Sequence, residues 1–373
     1  MAIWIDTPDA LRARIANPPA VIGLDTEFIR ERTYWPQLAL VQIALADGQD
    51  GAPHGDILLV DLLRPGMGDA LVPLLADPAV LKVMHSASED LVAFSHACGA
   101  LPTPLFDTQI AASLAGIGAG MGYQKLVQAV TGVTLAKGET RSDWLRRPLS
   151  DAQLEYAADD VLHLHALHRH LDAALQAQQR MGWLQEDCAR LLATVGNDGE
   201  RWPHLAMRSA QFLDLDGQRR LLRLLRWRDA YARRNDRPRN WILDNELAVS
   251  IARANPADVT TLRSVLDATP KSPRSLAEAI FDALATPLAD EADAPPVRGD
   301  ERDKTQLRKL QEAVALRTSE LGLADGILAS RRLLEALQDG DGWTGALGGW
   351  RRQVLESRLA PLLASGEGGA ASV

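Results

Sequence analysis

Cysteine is nearly absent. Cys98 and Cys188 are the only two in 373 residues and lie far apart. That excludes a disulfide framework and a cysteine zinc cluster, and predicts a reducing, cytoplasmic setting. No apolar run reaches the 18 or more residues of a membrane span, so no membrane partner is expected. The opening Met1-Ala2-Ile3-Trp4-Ile5-Asp6 lacks a basic region followed by an apolar stretch, and no signal peptide is expected. Positive charge is also short, with a formal net charge of −9. That sum argues against nucleic acid, but its distribution does not. Residues 1–180 hold 13 Lys+Arg against 21 Asp+Glu, whereas residues 181–373 hold 27 against 28. Arg219 to Arg239 alone carries nine arginines and two acids, Asp229 and Asp236. For a phosphate backbone such a local stripe outweighs the global sum.

The chain has 46 % apolar and 24 % charged residues, an ordinary globular composition, and its length predicts two or three domains. Val21-Ile22-Gly23-Leu24 reads as a buried strand, bounded upstream by Pro18-Pro19. Leu38 to Leu45 and Ile57 to Val60 read as two more strands of an antiparallel meander, and Leu81 to Met84 as a fourth. Asp47 to Gly55 is a loop by composition. Helices are predicted over 68–76, from His85 onward, near 108–115 and 122–131, and from a Ser150/Gln153 capping box to about Gln179. Leu105-Phe106-Asp107 is a brief strand or turn. Strands followed by packed helices make residues 1–200 an α/β domain with a mixed sheet flanked by helices. Residues 205–288 read as short helices broken at Pro238, Pro256 and Pro270. Residues 289–303 form an acidic, proline-containing linker, 304–364 a second helical set, and 365–373 a small-residue flexible tail.

The first strand ends in Asp25-Thr26-Glu27. Strand residues two apart share a face, so two carboxylates lie side by side at the end of an otherwise apolar element. Alone, an Asp-x-Glu arises about once by chance in a chain this long and is usually a solvated strand end. A bare, half-buried pair repels itself, and the common remedy is a hard divalent cation such as Mg²⁺ or Mn²⁺. Further acids occur downstream. Asp90 falls in the first turns of the helix after His85. Tyr156 and Asp160 are four apart on one helical face, with small Ala157 beside them. Two cations held by several carboxylates can hydrolyse a phosphodiester, and a phenol can orient the water. Asp25, Glu27, Asp90, Tyr156 and Asp160 fit that requirement in type and spacing.

Three motifs now stand in order: Leu24-Asp25-Thr26-Glu27-Phe28, His85-Ser86-Ala87-Ser88-Glu89-Asp90-Leu91 and Tyr156-Ala157-Ala158-Asp159-Asp160-Val161. Between them lie Thr33 to Leu38, Val41-Gln42-Ile43, Phe106 to Gln109 and Ser142 to Leu149. Across the whole first domain the chain resembles the ribonuclease D family, in the tyrosine variant of the DEDD 3′–5′ exonucleases. The resemblance implies a ribonuclease H-like sheet and two divalent cations, Mg²⁺ or Mn²⁺. It implies Asp25, Glu27 and Asp160 around one cation, with Asp25 and Asp90 at the second. Tyr156 would place the water, and Thr26, Phe28 and His85 would meet the terminal nucleotide.

Residues 205–288 resemble an HRDC domain, through Trp227-Arg228-Asp229 and Pro238-Arg239-Asn240-Trp241-Ile242-Leu243. They depart from it at Pro270-Lys271-Ser272-Pro273, where a glycine-containing turn is expected. Residues 304–364 resemble a second copy. Arg226, Arg228, Arg233, Arg234, Arg237 and Arg239, interleaved with aromatics, are candidate RNA contacts, or else a solvated helix face. The implied partner is RNA, tRNA precursors foremost, with no obligate protein partner. A DNA exonuclease and a silent binding module are the alternatives. Other residues read as structural. Asp107 is a cap or loop anchor, and Asp159 is surface charge. His163 and His170 share one helical face while His165 and His168 lie opposite, so the four do not converge on one ion.

Overall fold

The computed structural model describes residues 2–45, 56–135, 138, 142–196, 199–297 and 303–364. The expected loop 47–55, the tail 365–373 and part of the linker lie outside them. The chain divides into two compact units: residues 1–29, 36–196 and 303–373 form the first, and residues 30–35 with 197–302 the second.

Unit 1 is built on six strands: β1 (Ile3–Ile5), β2 (Val21–Ile29), β3 (Gln37–Ala44), β4 (Ile57–Asp61), β5 (Leu81–Met84) and β6 (Leu105–Asp107). Their order is β1-β4-β3-β2-β5-β6. β2, β3 and β4 form the expected antiparallel meander, while β5, β6 and β1 add in parallel. The sheet is therefore mixed. β3 is buried along nearly its whole length, as a central strand covered on both faces must be. β1 and the helix α1 (Pro8–Arg14) escape a sequence reading, since three residues carry too little periodicity.

The helices are α2 (Met67–Ala76), α3 (Ser88–Cys98), α4 (Thr108–Leu114), α5 (Tyr123–Thr131), α6 (Asp151–Leu162), α7 (Leu164–Ala177) and α8 (Met181–Thr194). α6 opens on the predicted box: Gln153 N donates to Ser150 Oγ and Ser150 N to Gln153 Oε1. The expected single helix to Gln179 is broken at His163. The cause is a side chain inserted into the backbone ladder. Tyr123 Oη accepts from His163 N at 3.2 Å and donates to Asp159 O at 3.1 Å, so it stands between groups that would otherwise pair directly.

Glycine matters at one position of β2. A Cβ on Gly23 would meet Leu164 Cδ1 at 3.1 Å and Ala44 Cβ at 3.2 Å. Its absence lets the start of α7 lie close against the face that carries Asp25 and Glu27, while α6 packs over β2, β3 and β4. The segment before α6 is fastened by Arg147. Its guanidinium donates to Asp61 Oδ1, to the carbonyls of Trp144 and Arg146, and to Ala39 O at a β-bulge opposite Glu27 and Phe28.

The second helical set, α14 (Lys304–Glu320), α15 (Arg331–Gln338) and α16 (Trp350–Ala364), shares one hydrophobic core with the sheet. Trp350 stacks on Trp183 of α8 with ring centroids 4.3 Å apart. Asp187 accepts from Trp350 Nε1 and from both Arg351 terminal nitrogens.

Unit 2 holds α9 (Leu215–Arg234), α10 (Arg239–Ile242), α11 (Asn245–Ala254), α12 (Val259–Asp267) and α13 (Ala277–Ala285) around its own core. Residues 30–35 belong to it. Tyr34 Oη accepts from Arg233 and Arg239 and donates to Asp229, and the amides of Tyr34 and Trp35 donate to Asp236.

Candidate active site

The acids meet along the second half of β2, which runs on past the expected strand end to Ile29. By strand alternation Asp25 and Glu27 face α6 while Thr26 faces the other way. Carboxylate oxygens of Asp25, Glu27 and Asp160 all lie within 4.8 Å of one another, and all three side chains are half-buried. Tyr156 stands one turn before Asp160 on α6, and its phenol feels the Asp160 charge. Asp90 comes from the first turn of α3, on the other side of the strand. It is buried, adds its charge to the field at Asp25 and Glu27, and accepts from the Thr26 hydroxyl.

Crowding of like charges sets the electrostatics. Burial, followed by the charges of Asp90, Asp160 and Glu27, raises the Asp25 carboxyl well above its ordinary range. Burial with Asp160 and Asp90 pushes Glu27 up to about 9. Burial raises Asp90 to about 6, against the pull of the Thr26 hydroxyl, and Asp160 to about 7, against the pull of the Tyr156 phenol. The Tyr156 phenol is raised by burial and by Asp160, so it stays protonated through the neutral range.

A hard divalent cation fits this site on two counts. Three carboxylates converge, the donor set such ions take, and among the described residues no cation offsets their charge. Gln42 lies directly opposite Asp25 in the β2–β3 register, is 0 % exposed, and has neither amide atom hydrogen-bonded. An unpaired buried amide is costly, and a hydrated ion beside it would supply the missing partner.

The turn carrying Asp90 is tied down by Asp107. That buried carboxylate accepts from the amides of Ser86 and Ala87 and, as the cap of α4, from Gln109 and Ile110. His85 lies 2.9 Å from Thr108 Oγ1, which bonds Met84 O, and its ring meets Tyr123 edge-on. Phe28 is half-buried past the bulge. The Thr26 side chain, expected at the substrate, is 6 % exposed and spends its hydroxyl on Asp90.

Among the described residues no histidine joins the carboxylate group. His165 bonds Ala44 O, and His168 packs edge-on against Phe106. Four of the six candidate arginines have partners inside unit 2. Arg226 holds Asp290 and Arg201 O, and Arg228 is buried against Leu243 O and Asn245. Arg233 and Arg239 hold Asp229 and Tyr34. Arg234 and Arg237 are exposed. Tyr123 and Gln42 enter the picture only through the structure, because the partners that give them meaning lie 17 to 40 residues away in sequence.

A mixed sheet with an acid cluster on the second half of its inner strand β2 fits a nuclease-type α/β domain, and the comparisons agree on the class. Residues 2–176 match the family model described as 3′–5′ exonuclease, and residues 218–284 match the HRDC domain. The particular family follows from whole-chain relatives. A ribonuclease D of Xanthomonas oryzae pv. oryzae is 60 % identical, covering 98 % of this chain and all of that one. One of Pseudomonas paraeruginosa is 36 % identical over 97 % of each. The crystal structure of Escherichia coli RNase D, described as an exoribonuclease involved in structured RNA processing, superposes with a TM-score of 0.79. It is 27 % identical and covers 98 % of this chain and 99 % of that one. The chain belongs to the ribonuclease D family of 3′–5′ exoribonucleases.

Proposed function

We propose that this enzyme hydrolyses RNA one nucleotide at a time from the 3′ end, releasing nucleoside 5′-monophosphates with the help of two divalent cations, Mg²⁺ or Mn²⁺. The observation that carries the reading is the convergence of Asp25, Glu27 and Asp160, with Tyr156 one turn before Asp160 on α6. Asp25, Glu27 and Asp160 would hold one cation, and Asp25 with Asp90 the other. Bound cations would supply an acidified water and charge stabilisation on attacking and leaving oxygens. Tyr156, kept as a neutral phenol, acts as a hydrogen-bond partner that orients the water and not as a base. Phe28 and His85 would meet the terminal nucleotide, and exposed Arg234 and Arg237 would contact phosphates. The substrates are structured RNAs with a short single-stranded 3′ end, tRNA precursors foremost. Two buried free thiols, Cys98 and Cys188, suit a reducing cytoplasm.

The test uses a 3′-extended tRNA precursor and matched single-stranded RNA and DNA ladders, with Mg²⁺, Mn²⁺ or chelator. Mononucleotide release from RNA is expected, with chelator abolishing it. Asp25→Asn or Asp160→Asn should lower the rate by at least the roughly 10²–10³-fold that loss of one charge-stabilising group costs, with unchanged circular dichroism. Activity retained in these variants would overturn the mechanism. Faster digestion of DNA would overturn the substrate.

A further inference from the structure

We propose that Thr26 is a positioning residue for Asp90, gripping from the far side of β2 the one acid of the centre that does not arrive on the face shared by the others. The inference rests on the two-cation reading above. Asp25 and Glu27 point to the α6 face, and Asp160 descends onto them from α6 itself. Asp90 instead comes from α3, which packs against β2 and β3, and whose first turn is set by the Asp107 tether. By alternation Thr26 is the β2 residue turned toward it. The Thr26 hydroxyl donates to Asp90 Oδ1, the contact is buried, and Thr26 itself is 6 % exposed.

The consequence is geometric. Thr26 is paired with Val41 in the β2–β3 ladder, with Asp25 and Glu27 on either side of it in register. A carboxylate bonded to its hydroxyl is therefore indexed to the same strand that carries two of the other acids. As a β-branched residue in a strand, Thr26 has few rotamers, so its hydroxyl is a fixed point. With one hydroxyl proton to give, it engages Oδ1 and leaves the carboxylate able to bind through Oδ2. Thr26 thus acts on the cation through Asp90 and does not touch substrate. Partners of this kind orient ligands, and their loss typically weakens metal affinity about 10–100-fold.

The experiment compares wild type, Thr26→Val and Thr26→Ser as full-length protein. Mn²⁺ binding is measured by titration calorimetry with adenosine 5′-monophosphate, a product of the proposed reaction, present. Valine keeps the shape and branching but removes the hydroxyl; serine keeps the hydroxyl. We expect Thr26→Val to bind its weaker Mn²⁺ about 10–100-fold less tightly, with the tighter Mn²⁺ and the circular dichroism spectrum unchanged, and Thr26→Ser to recover the wild-type isotherm. Unaltered binding in Thr26→Val, or equal losses in the valine and serine variants, would overturn the assignment. Should valine prevent folding, Thr26→Ala against Thr26→Ser makes the same comparison. Asp90→Asn serves as the control: if it keeps both Mn²⁺ ions the two-cation reading fails, whereas loss there with full binding in Thr26→Val removes Thr26 alone.

Discussion

Glu27 carries the clearest cost of gathering acids before a cation arrives. With its carboxyl pushed up to about 9, it holds a proton at neutral pH in the cation-free protein. In the unfolded chain it would ionise near the ordinary 4.5. The folded state therefore binds more protons than the unfolded one between these values, and its stability falls as pH rises from about 4.5 toward 9. Glu27→Gln removes this liability. In chelator it should melt higher than wild type, by a few degrees at pH 8 and by little at pH 5, in a fluorescence melt. Cation binding must expel the same protons. Calorimetry at pH 7 in buffers of different ionisation enthalpy should show proton release on Mn²⁺ binding, and affinity should strengthen as pH rises.

At the scale of elements, the active-site helix depends on its lead-in. Asp61 is 1 % exposed and takes two hydrogen bonds from Arg147, whose remaining donors fasten residues 144–147 and the bulge at Ala39. Without Arg147 the buried Asp61 keeps only the Leu63 amide and the half-exposed Arg64 at 3.4 Å, so Arg147→Ala should cost about 3 kcal/mol in a urea unfolding curve. The strands were readable because continuous apolar runs such as Leu38 to Leu45 and Ile57 to Val60 have no other stable home. The acid pair was readable from a two-residue alternation and Tyr156 with Asp160 from a four-residue one. What stayed hidden depends on distant partners. Tyr123 breaks a helix 36 to 40 residues away. The arginine stripe looked like an open cationic face because nothing local reveals Asp290 or Tyr34, 64 and 199 residues off.

For the whole molecule, the two units are discontinuous in sequence. Unit 1 takes residues from both ends of the chain, and unit 2 claims six residues from the turn that leaves β2. Residues 304–364, although legible as a separate helical set, share the core of the sheet domain. Trp350 is 1 % exposed, and its ring lies flat on Trp183. Trp350→Ala should therefore destabilise unit 1 by about 3–5 kcal/mol, the usual cost of emptying a buried aromatic site. Chemical denaturation followed by far-ultraviolet circular dichroism would measure it.

The Trp183–Trp350 stack also dictates a timetable. Asp187 and its partner Trp350 are 163 residues apart. A ribosome adding roughly 5–20 residues per second delivers α8 about ten to thirty seconds before α16 exists. Throughout that wait the growing polypeptide holds all five proposed catalytic side chains and an uncovered tryptophan shelf, with Asp187 paired only to Arg190 of its own helix. Premature termination anywhere between residues 303 and 349 would make that interval permanent, yielding a product that carries all five proposed catalytic side chains and whose adhesive face is a natural target for chaperones and proteases.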